Sequence, residues 1–300
     1  MGVRGEHAFQ RRNGARRLIR NAEHLEIDTG DGLRLHIDRS GTGPPLVLLH
    51  GFTGSTETWA PLRASLDEQF TTLAVDLPGH GRSGVPTDEA RFALSRFADD
   101  LGRILDTLGV ERVALLGYSM GGRAALRFAL LHPGRVAALV LESTSPGIAD
   151  PVERAERVAS DRALADMIES DGVVAFVDRW ERLPLWASQA ALPNEERARL
   201  HTQRLANRPS GLANSLRGAG AGVDAPSIDR LSQHRVPTLL VAGALDPRYV
   251  ALARLMEAKM PRAHMAIIAD AGHAVHLERL AEFGDVIARF LDGLASEAIS

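Results

Sequence analysis

The chain has 300 residues, of which 45% are hydrophobic and 24% are charged, and its formal net charge is −3. This length suits one large domain or two small ones, and the small net charge gives no electrostatic case for binding nucleic acid or an acidic membrane. The absence of cysteine excludes disulfides and a cysteine nucleophile, and we expect a cytoplasmic protein. No apolar run reaches the roughly 18 residues that a membrane span needs.

Residues 1–24 form a separate segment that is rich in Arg and Gly. The segment lacks the apolar core of a secretory signal. One interpretation is a basic arm that contacts a partner, but we favour a disordered tail.

From residue 25 onward, short apolar strands alternate with helical patterns. Leu25–Ile27 and Leu33–Ile37 flank Asp31-Gly32 and predict a hairpin. Six further strands are predicted at Leu46–Leu49, Thr72–Val75, Val113–Leu116, Val136–Leu141, Thr238–Val241 and Met265–Ile268. Helices are predicted at Trp59–Glu68, Phe92–Leu108, Gly121–Leu131, Ala251–Met260 and Leu280–Leu294. This alternation predicts an α/β core, residues 25–147 and 235–295, with a mostly parallel sheet between two layers of helices.

The alternation stops between residues 148 and 234, where we find helical patterns and no strand. The predicted helices are Arg154–Glu169, Val173–Arg182 and Glu195–Asn207, and a stretch rich in Gly and Ala follows. An all-helical insertion before the last two strands is typical of a lid over the carboxyl ends of the strands. Open α/β sheets bind their ligands at that edge.

The first chemical motif is Gly117-Tyr118-Ser119-Met120-Gly121, which fits the Gly-x-Ser-x-Gly pattern of a nucleophile elbow. A predicted strand precedes it and a predicted helix follows it, as the motif requires. The chain turns so sharply at such a serine that side chains two residues away would collide, which explains the glycines. We predict that Ser119 is catalytic; the alternative is a tight turn with an incidental serine.

A second motif, His50-Gly51-Phe52, directly follows the strand Leu46–Leu49. In a fold of this kind the loop supplies one backbone N–H of an oxyanion hole, here that of Phe52, and Met120 supplies the second. His50 is a candidate base, but its position favours a role in shaping the loop.

Asp246 and His273 each directly follow one of the last two predicted strands. With Ser119 they give the order Ser, Asp, His that is typical of α/β hydrolases. In such a triad the histidine takes the serine proton and the aspartate fixes the histidine tautomer. Three other candidates fit less well: His276, with a surface or loop role, Asp270, and Asp76, which more simply shapes a Gly-rich loop.

Longer motifs support a narrower assignment. They are His50-Gly-Phe-Thr-Gly-Ser55 with Trp59, Gly117-Tyr-Ser-Met-Gly-Gly-Arg123, Leu141-Glu-Ser-Thr-Ser-Pro-Gly147, Phe176–Leu185, Gly211–Gly218 and Ala271-Gly-His-Ala-Val-His-Leu-Glu278. From about Leu25 to Leu294 the chain resembles the α/β-hydrolase superfamily. On these motifs it resembles the MenH family, the 2-succinyl-6-hydroxy-2,4-cyclohexadiene-1-carboxylate synthases of menaquinone biosynthesis. Gly218–Gly222 departs from the family pattern by carrying Ala where Thr is expected.

The resemblance implies a lyase that acts on a small tricarboxylate. Such an enzyme removes a ring proton next to the succinyl ketone and expels pyruvate across the adjacent double bond. Ser119, activated by His273, would take the proton, and the oxyanion hole would hold the enolate oxygen. The reaction needs no acyl-enzyme, metal or cofactor. We expect no nucleic-acid or membrane partner, and a monomer or small homo-oligomer.

Arginines suit the substrate carboxylates because the guanidinium fork binds them bidentately. Arg123 lies four residues after Ser119, one helical turn on, and can face the same pocket. The resemblance adds Arg157 and Arg204 from the insertion, with Tyr118 and Trp180 as cavity walls. Three further arginines are predicted to be surface residues: Arg179, Arg182 and Arg208.

Two alternatives remain. A carboxylesterase, or a hydrolase of carbon–carbon bonds, has the same fold and triad, but a simple esterase has little use for converging arginines. A receptor or scaffold with a hydrolase fold would generally lack a triad member, and all three are present here.

Overall fold

A computed structural model describes residues 22–297, with side chains through residue 294. The predicted tail therefore lies almost entirely outside the described residues. Its last two residues, Glu23 and His24, begin the first strand instead.

The eight strands are β1 Glu23–Asp28, β2 Arg34–Gly41, β3 Pro45–Leu49, β4 Thr71–Val75, β5 Val113–Tyr118, β6 Val136–Glu142, β7 Thr238–Gly243 and β8 Ala263–Ile268. They form one sheet in the order β1-β2-β4-β3-β5-β6-β7-β8. The first two pairings, β1 with β2 and β2 with β4, are antiparallel, and the remaining pairings are parallel. The predicted fold class and strands are confirmed.

The nine α-helices in the described residues are α1 Ala60–Leu66, α2 Leu94–Thr107, α3 Met120–Leu131, α4 Pro151–Trp180, α5 Asn194–Leu205, α6 Pro209–Ala219, α7 Pro247–Lys259, α8 Val275–Glu278 and α9 Leu280–Glu297. Strand β3 lies between two hydrophobic cores. Leu46 and Leu48 pack into one core, and Val47 and Leu49 into the other. Burial on both faces explains the continuous apolar sequence of this strand.

Residues 148–234, which we call the helical segment, separate β6 from β7. The two predicted helices 154–169 and 173–182 are one run, α4, which is broken by the positive φ of 84° at Gly172. The Gly- and Ala-rich stretch contains α6, a helix that the sequence did not predict because glycine disfavours helices. An added Cβ at Gly211 would lie 2.1 Å from the carbonyl oxygen of Gly79. Glycine is present there because two backbones meet.

A third apolar cluster packs α4 against α6; it contains Ala165, Ile168, Phe176, Val177, Leu212, Ala213 and Leu216. Phe52, from the loop after β3, and Trp180 pack against the same cluster. The helical segment therefore rests on the carboxyl-end loops of the sheet. Within the described residues, no helix combines the length and apolar character that a membrane crossing requires.

Candidate active site

Ser119 occupies the turn between β5 and α3 with a backbone φ of 51°. A positive φ is unfavourable for a residue with a Cβ and persists only where the surroundings enforce it. An added Cβ at Gly121 would lie 2.2 Å from the carbonyl oxygen of Leu49, and one at Gly117 would lie 2.4 Å from that of Gly121. The collision argument for these glycines therefore holds, and the turn projects the serine from the edge of the sheet.

The structure brings Ser119, His273 and Asp246 together. The His273 Nε2 lies 3.2 Å from the Ser119 Oγ, and the His273 Nδ1 lies 2.8 Å from the Asp246 Oδ2. Both Asp246 and His273 are buried, and the backbone N–H of Tyr249 donates to the other aspartate oxygen at 3.3 Å. An imidazole that donates through Nδ1 to a carboxylate leaves Nε2 as an acceptor for the serine proton.

The two predicted oxyanion donors border the same cavity as Ser119, since Phe52 and Met120 both line it. Met120 is the first residue of α3, so its N–H has no acceptor within the helix. The loop that carries Phe52 approaches the elbow closely, because a Cβ on Gly51 would lie 2.7 Å from the Tyr118 ring.

His50 shapes this loop, as predicted. Its Nδ1 donates to the carbonyl oxygen of Gly51 at 2.8 Å, while its Nε2 accepts the N–H of Leu77 at 3.0 Å. Burial lowers the pKa of His50 to about 4, so the ring is neutral at pH 7. Asp76 has a similar role, accepting the backbone N–H groups of Thr56 and Arg82 at 2.6 and 2.8 Å.

The surface role predicted for His276 is wrong. The residue is not at the surface but buried in α8, where its Nδ1 lies 2.8 Å from a carboxylate oxygen of Glu142. Asp270, by contrast, is exposed and pairs with Arg279 at 3.3 Å.

The triad opens into a cavity of about 540 Å³ between the sheet edge and the helical segment. Tyr118 and Trp180 line it, as predicted. Sequence reasoning missed further aromatic walls, among them Trp186 and Tyr249, whose rings lie 5.5 and 4.5 Å from that of His273. No local motif marks these two residues, because contacts formed only in the folded chain bring them to the histidine.

Four arginines and one aspartate supply the charged side chains among the described cavity residues: Arg123, Arg157, Arg179, Arg248 and Asp161. Arg123 donates through Nη2 to the carbonyl oxygen of Ala219 at 2.7 Å. Its Nη1 is buried without a hydrogen-bond partner among the described residues. Burial, together with the charge of Arg157, lowers the pKa of Arg123. A buried cation with unused donors is suited to an anionic ligand.

Arg157 pairs with Asp161, one turn along α4. Its Nε lies 2.9 Å from each carboxylate oxygen. Burial raises the pKa of Asp161, and the charges of Arg157 and Arg123 oppose that rise. Since both contacts use Nε, the outer edge of the Arg157 guanidinium makes no hydrogen bond in the part of the chain that the structure describes.

Arg204 does not line the main cavity. Its guanidinium donates to Glu181 at 2.8 Å and to Gln189 at 3.2 Å, and lies 5.3 Å from the centre of the Trp186 ring. It lines an adjoining chamber of about 40 Å³, which shares Phe52, Tyr118 and Trp186 with the main cavity.

The three arginines predicted at the surface differ from one another. Arg182 is exposed, and Arg208 donates to the backbone carbonyls of Gly81 and Ser83. Arg179 is exposed but also lines the cavity, so its assignment as a surface residue alone was incomplete.

Among the described residues, one group has metal-ligand geometry: His24, His36 and Asp38 on β1 and β2. The Asp38 carboxylate already accepts Arg82 at 3.0 and 3.2 Å. The group therefore forms a compensated ion-pair network, and none of its members lines the cavity.

Known proteins resemble most of the chain. The α/β hydrolase fold family matches residues 44–280. A putative 2-succinyl-6-hydroxy-2,4-cyclohexadiene-1-carboxylate synthase of Bacillus subtilis is 40% identical over 272 residues, covering 90% of this chain and 99% of that protein. The synthase of that name from Serratia proteamaculans is 31% identical, covering 83% and 93%.

A solved structure of MenH from S. aureus superposes with a TM-score of 0.83 at 34% identity, covering 87% of this chain and 98% of that one. A thermophilic esterase from Thermogutta terrifontis gives a TM-score of 0.79 at 28% identity, with coverages of 91% and 99%. The chain belongs to the α/β-hydrolase fold family and, within it, to the family of 2-succinyl-6-hydroxy-2,4-cyclohexadiene-1-carboxylate synthases.

Proposed function

We propose that this enzyme eliminates pyruvate from 2-succinyl-5-enolpyruvyl-6-hydroxy-3-cyclohexene-1-carboxylate to give 2-succinyl-6-hydroxy-2,4-cyclohexadiene-1-carboxylate. The observation that carries the proposal is the charge of the cavity. Four arginines and one aspartate line the cavity, so its walls carry an excess of positive charge around the triad even though Arg248 also pairs with Glu153 at 3.8 Å. The proposed substrate has three carboxylates.

The reaction begins with loss of the ring proton next to the succinyl ketone. His273 accepts the Ser119 proton, and the Ser119 oxygen takes the ring proton. Asp246, 2.8 Å from the ring, stabilises the imidazolium. The developing enolate oxygen accepts hydrogen bonds from the N–H groups of Phe52 and Met120.

Electrons from the enolate then form the second ring double bond and break the bond to the enolpyruvyl oxygen. The imidazolium of His273 returns a proton to the leaving group, which becomes pyruvate. The serine oxygen forms no bond to carbon, so the triad acts here as a base. The same three residues serve a hydrolase, where the serine attacks a carbonyl carbon; here the serine removes a proton instead.

The elbow region and the helical segment together supply the groups that hold the substrate. We assign Arg123, from the elbow helix, and Arg157, from α4, to two carboxylates, with Trp180 and Tyr118 as walls. Arg204 borders the adjoining chamber, and we assign it a weaker role, in which its charge acts on the substrate across the side chains that the two cavities share. Because α4 and α6 cover the triad, residues 148–234 are proposed to act as a lid.

The test is an assay of pyruvate released from the proposed substrate, coupled to lactate dehydrogenase. We expect pyruvate and the conjugated diene to appear in equal amounts, with and without EDTA. Ser119→Ala should release neither product.

The likeness to a thermophilic esterase supports one competing function, ester hydrolysis by the same triad. The two functions separate with a neutral nitrophenyl ester as second substrate. Faster cleavage of that ester than of the tricarboxylate would support the esterase and contradict our proposal.

A further inference from the structure

Glu142 is a fully buried carboxylate at the end of β6. Its backbone carbonyl accepts the N–H of Ser119 at 2.9 Å. Its side chain accepts the backbone N–H of His276 at 3.0 Å, and the His276 Nδ1 lies 2.8 and 2.9 Å from its two oxygens. One residue thus holds the candidate base serine through its main chain and His276 through its side chain.

The His276 ring is fixed on further sides. It lies 4.6 Å from the Tyr118 ring and 4.9 Å from that of Trp59, measured between centroids. Tyr118 precedes the elbow serine, and its ring lies 5.4 Å from that of His273. The imidazole therefore packs between α8 and the strand that carries the elbow.

Other hydrogen bonds also hold the loop that carries His273, but they do not set its distance from Ser119. The N–H of Leu245 donates to the carbonyl oxygen of Ala271 at 2.9 Å, which relates the loop to Asp246. Glu278 accepts the N–H of Gly272 at 2.7 Å, which braces the loop internally. Among these side-chain and loop hydrogen bonds, the one between Glu142 and His276 joins the loop to the strand beside Ser119.

We infer that Glu142 and His276 form a positioning pair that sets the distance between the His273 Nε2 and the Ser119 Oγ. Neither residue lines the main cavity, and His276 borders only the adjoining chamber of about 40 Å³. We therefore assign the pair an action on the triad and not on the substrate. A misplacement of about 1 Å can cost roughly a hundredfold in rate. The inference rests on the proposed function only in that Ser119 and His273 act together.

The test compares Glu142→Gln with the wild-type enzyme. The amide keeps the volume but loses the charge and one acceptor oxygen facing His276. We expect kcat for pyruvate release to fall between about tenfold and a hundredfold, with KM changed less than about threefold because the carboxylate contacts remain. Glu142→Asp keeps the charge, and its kcat should lie between those of the wild-type enzyme and Glu142→Gln.

A second measurement needs no substrate: the rate at which a fluorophosphonate labels Ser119. This rate depends on activation of the serine by the histidine, and we expect it to fall in parallel with kcat. Asp100→Asn is the matched control, because it alters another buried carboxylate. Asp100 lies on α2, outside the cavity, and its carboxylate accepts Arg91 at 2.7 and 2.8 Å. The substitution should lower Tm without changing the labelling rate.

Wild-type labelling by folded Glu142→Gln or Glu142→Asp would overturn the inference. So would an equal loss of labelling in Asp100→Asn at the same loss of Tm, because that result would make the effect one of general stability. If the wild-type enzyme is labelled but releases no pyruvate, the proposed function fails, while the labelling comparison still decides the role of the pair.

Discussion

The two sides of the cavity are built differently. On the sheet side, Ser119, Asp246 and His273 lie one, three and five residues after the ends of β5, β7 and β8, so short loops at the edge of the sheet place all three. On the helical side, Arg157 and Arg179 reach the cavity from α4 through long side chains. The sheet side therefore fixes the geometry of proton transfer, whereas the charge of the cavity comes from both sides, since Arg123 and Arg248 lie on α3 and α7 of the core.

This difference has an energetic consequence. An arginine side chain has about 2 kcal/mol of rotamer entropy to lose when it is ordered. The ion pair of Arg157 with Asp161 orders that side chain before substrate arrives. Arg123 is ordered by its bond to Ala219. The sheet-side groups need no such help because they have few rotatable bonds.

The largest effect should come from breaking the sheet side. We expect Ser119→Ala and His273→Ala to abolish detectable pyruvate release, and Asp246→Asn to lower kcat by about ten-thousand-fold because the histidine tautomer is lost. Steady-state kinetics with folding checked by circular dichroism measures this. A folded Ser119→Ala enzyme with near wild-type turnover would be incompatible with a base role for Ser119.

Arg123 should give the next largest effect, because it joins the two sides. Removing a charged hydrogen bond worth about 1.5–3 kcal/mol should lower kcat/KM roughly 10- to 100-fold in Arg123→Ala. Arg123→Lys should recover only part, since an ammonium lacks the planar fork. Arg182→Ala is the control, because Arg182 is exposed and outside the cavity lining; equal losses in the two alanine variants would contradict the assignment.

The helical side can be separated further with a double substitution. Arg157→Ala should leave the buried Asp161 carboxylate unpaired and facing an anionic substrate, which adds repulsion to the lost contact. Adding Asp161→Asn should therefore raise kcat/KM above that of the single variant, by about three- to tenfold. Asp166→Asn, an exposed change on the same helix, should give no such recovery. A double variant no better than Arg157→Ala would mean that Asp161 does not act on the substrate.

The smallest effect concerns acid stability of the sheet-side loops. Burial lowers the pKa of His50 to about 4, and burial with the nearby charge of His50 lowers that of His80 to about 3. Between pH 6.5 and 4 the unfolded imidazoles bind protons and the folded ones do not. The free energy of unfolding should therefore decrease as the pH is lowered through this range, by about 1.4 kcal/mol per pH unit for each histidine.

Urea unfolding at pH 7.5, 6.5 and 5.5 measures this dependence. His80→Gln should reduce the slope of the unfolding free energy against pH by the contribution of one histidine. Above pH 7 the pH dependence of the variant should equal that of the wild type. An unchanged slope would place the acid sensitivity elsewhere in the chain.

Sequence reasoning succeeded where function follows from local rules. The elbow, the acid and the histidine all come directly after apolar strands, and the elbow glycines follow from steric collision. It failed for Glu142 and His276, since nothing local indicates that a β6 carboxylate and an α8 imidazole meet. It also could not place Arg204, because its position depends on Glu181, Gln189 and the Trp186 ring.

The helical segment contacts the core through backbone atoms, and this limits which segments from other enzymes could replace it. On α6, Gly211 meets the carbonyl oxygen of Gly79, and Gly218, two turns on, meets that of Glu89, with an added Cβ only 2.1 and 2.0 Å away. The two glycines lie on one face of the helix. A helical segment grafted from another enzyme to change substrate preference would need glycine at both positions; any side chain there would push the segment away from the core and its arginines away from the triad.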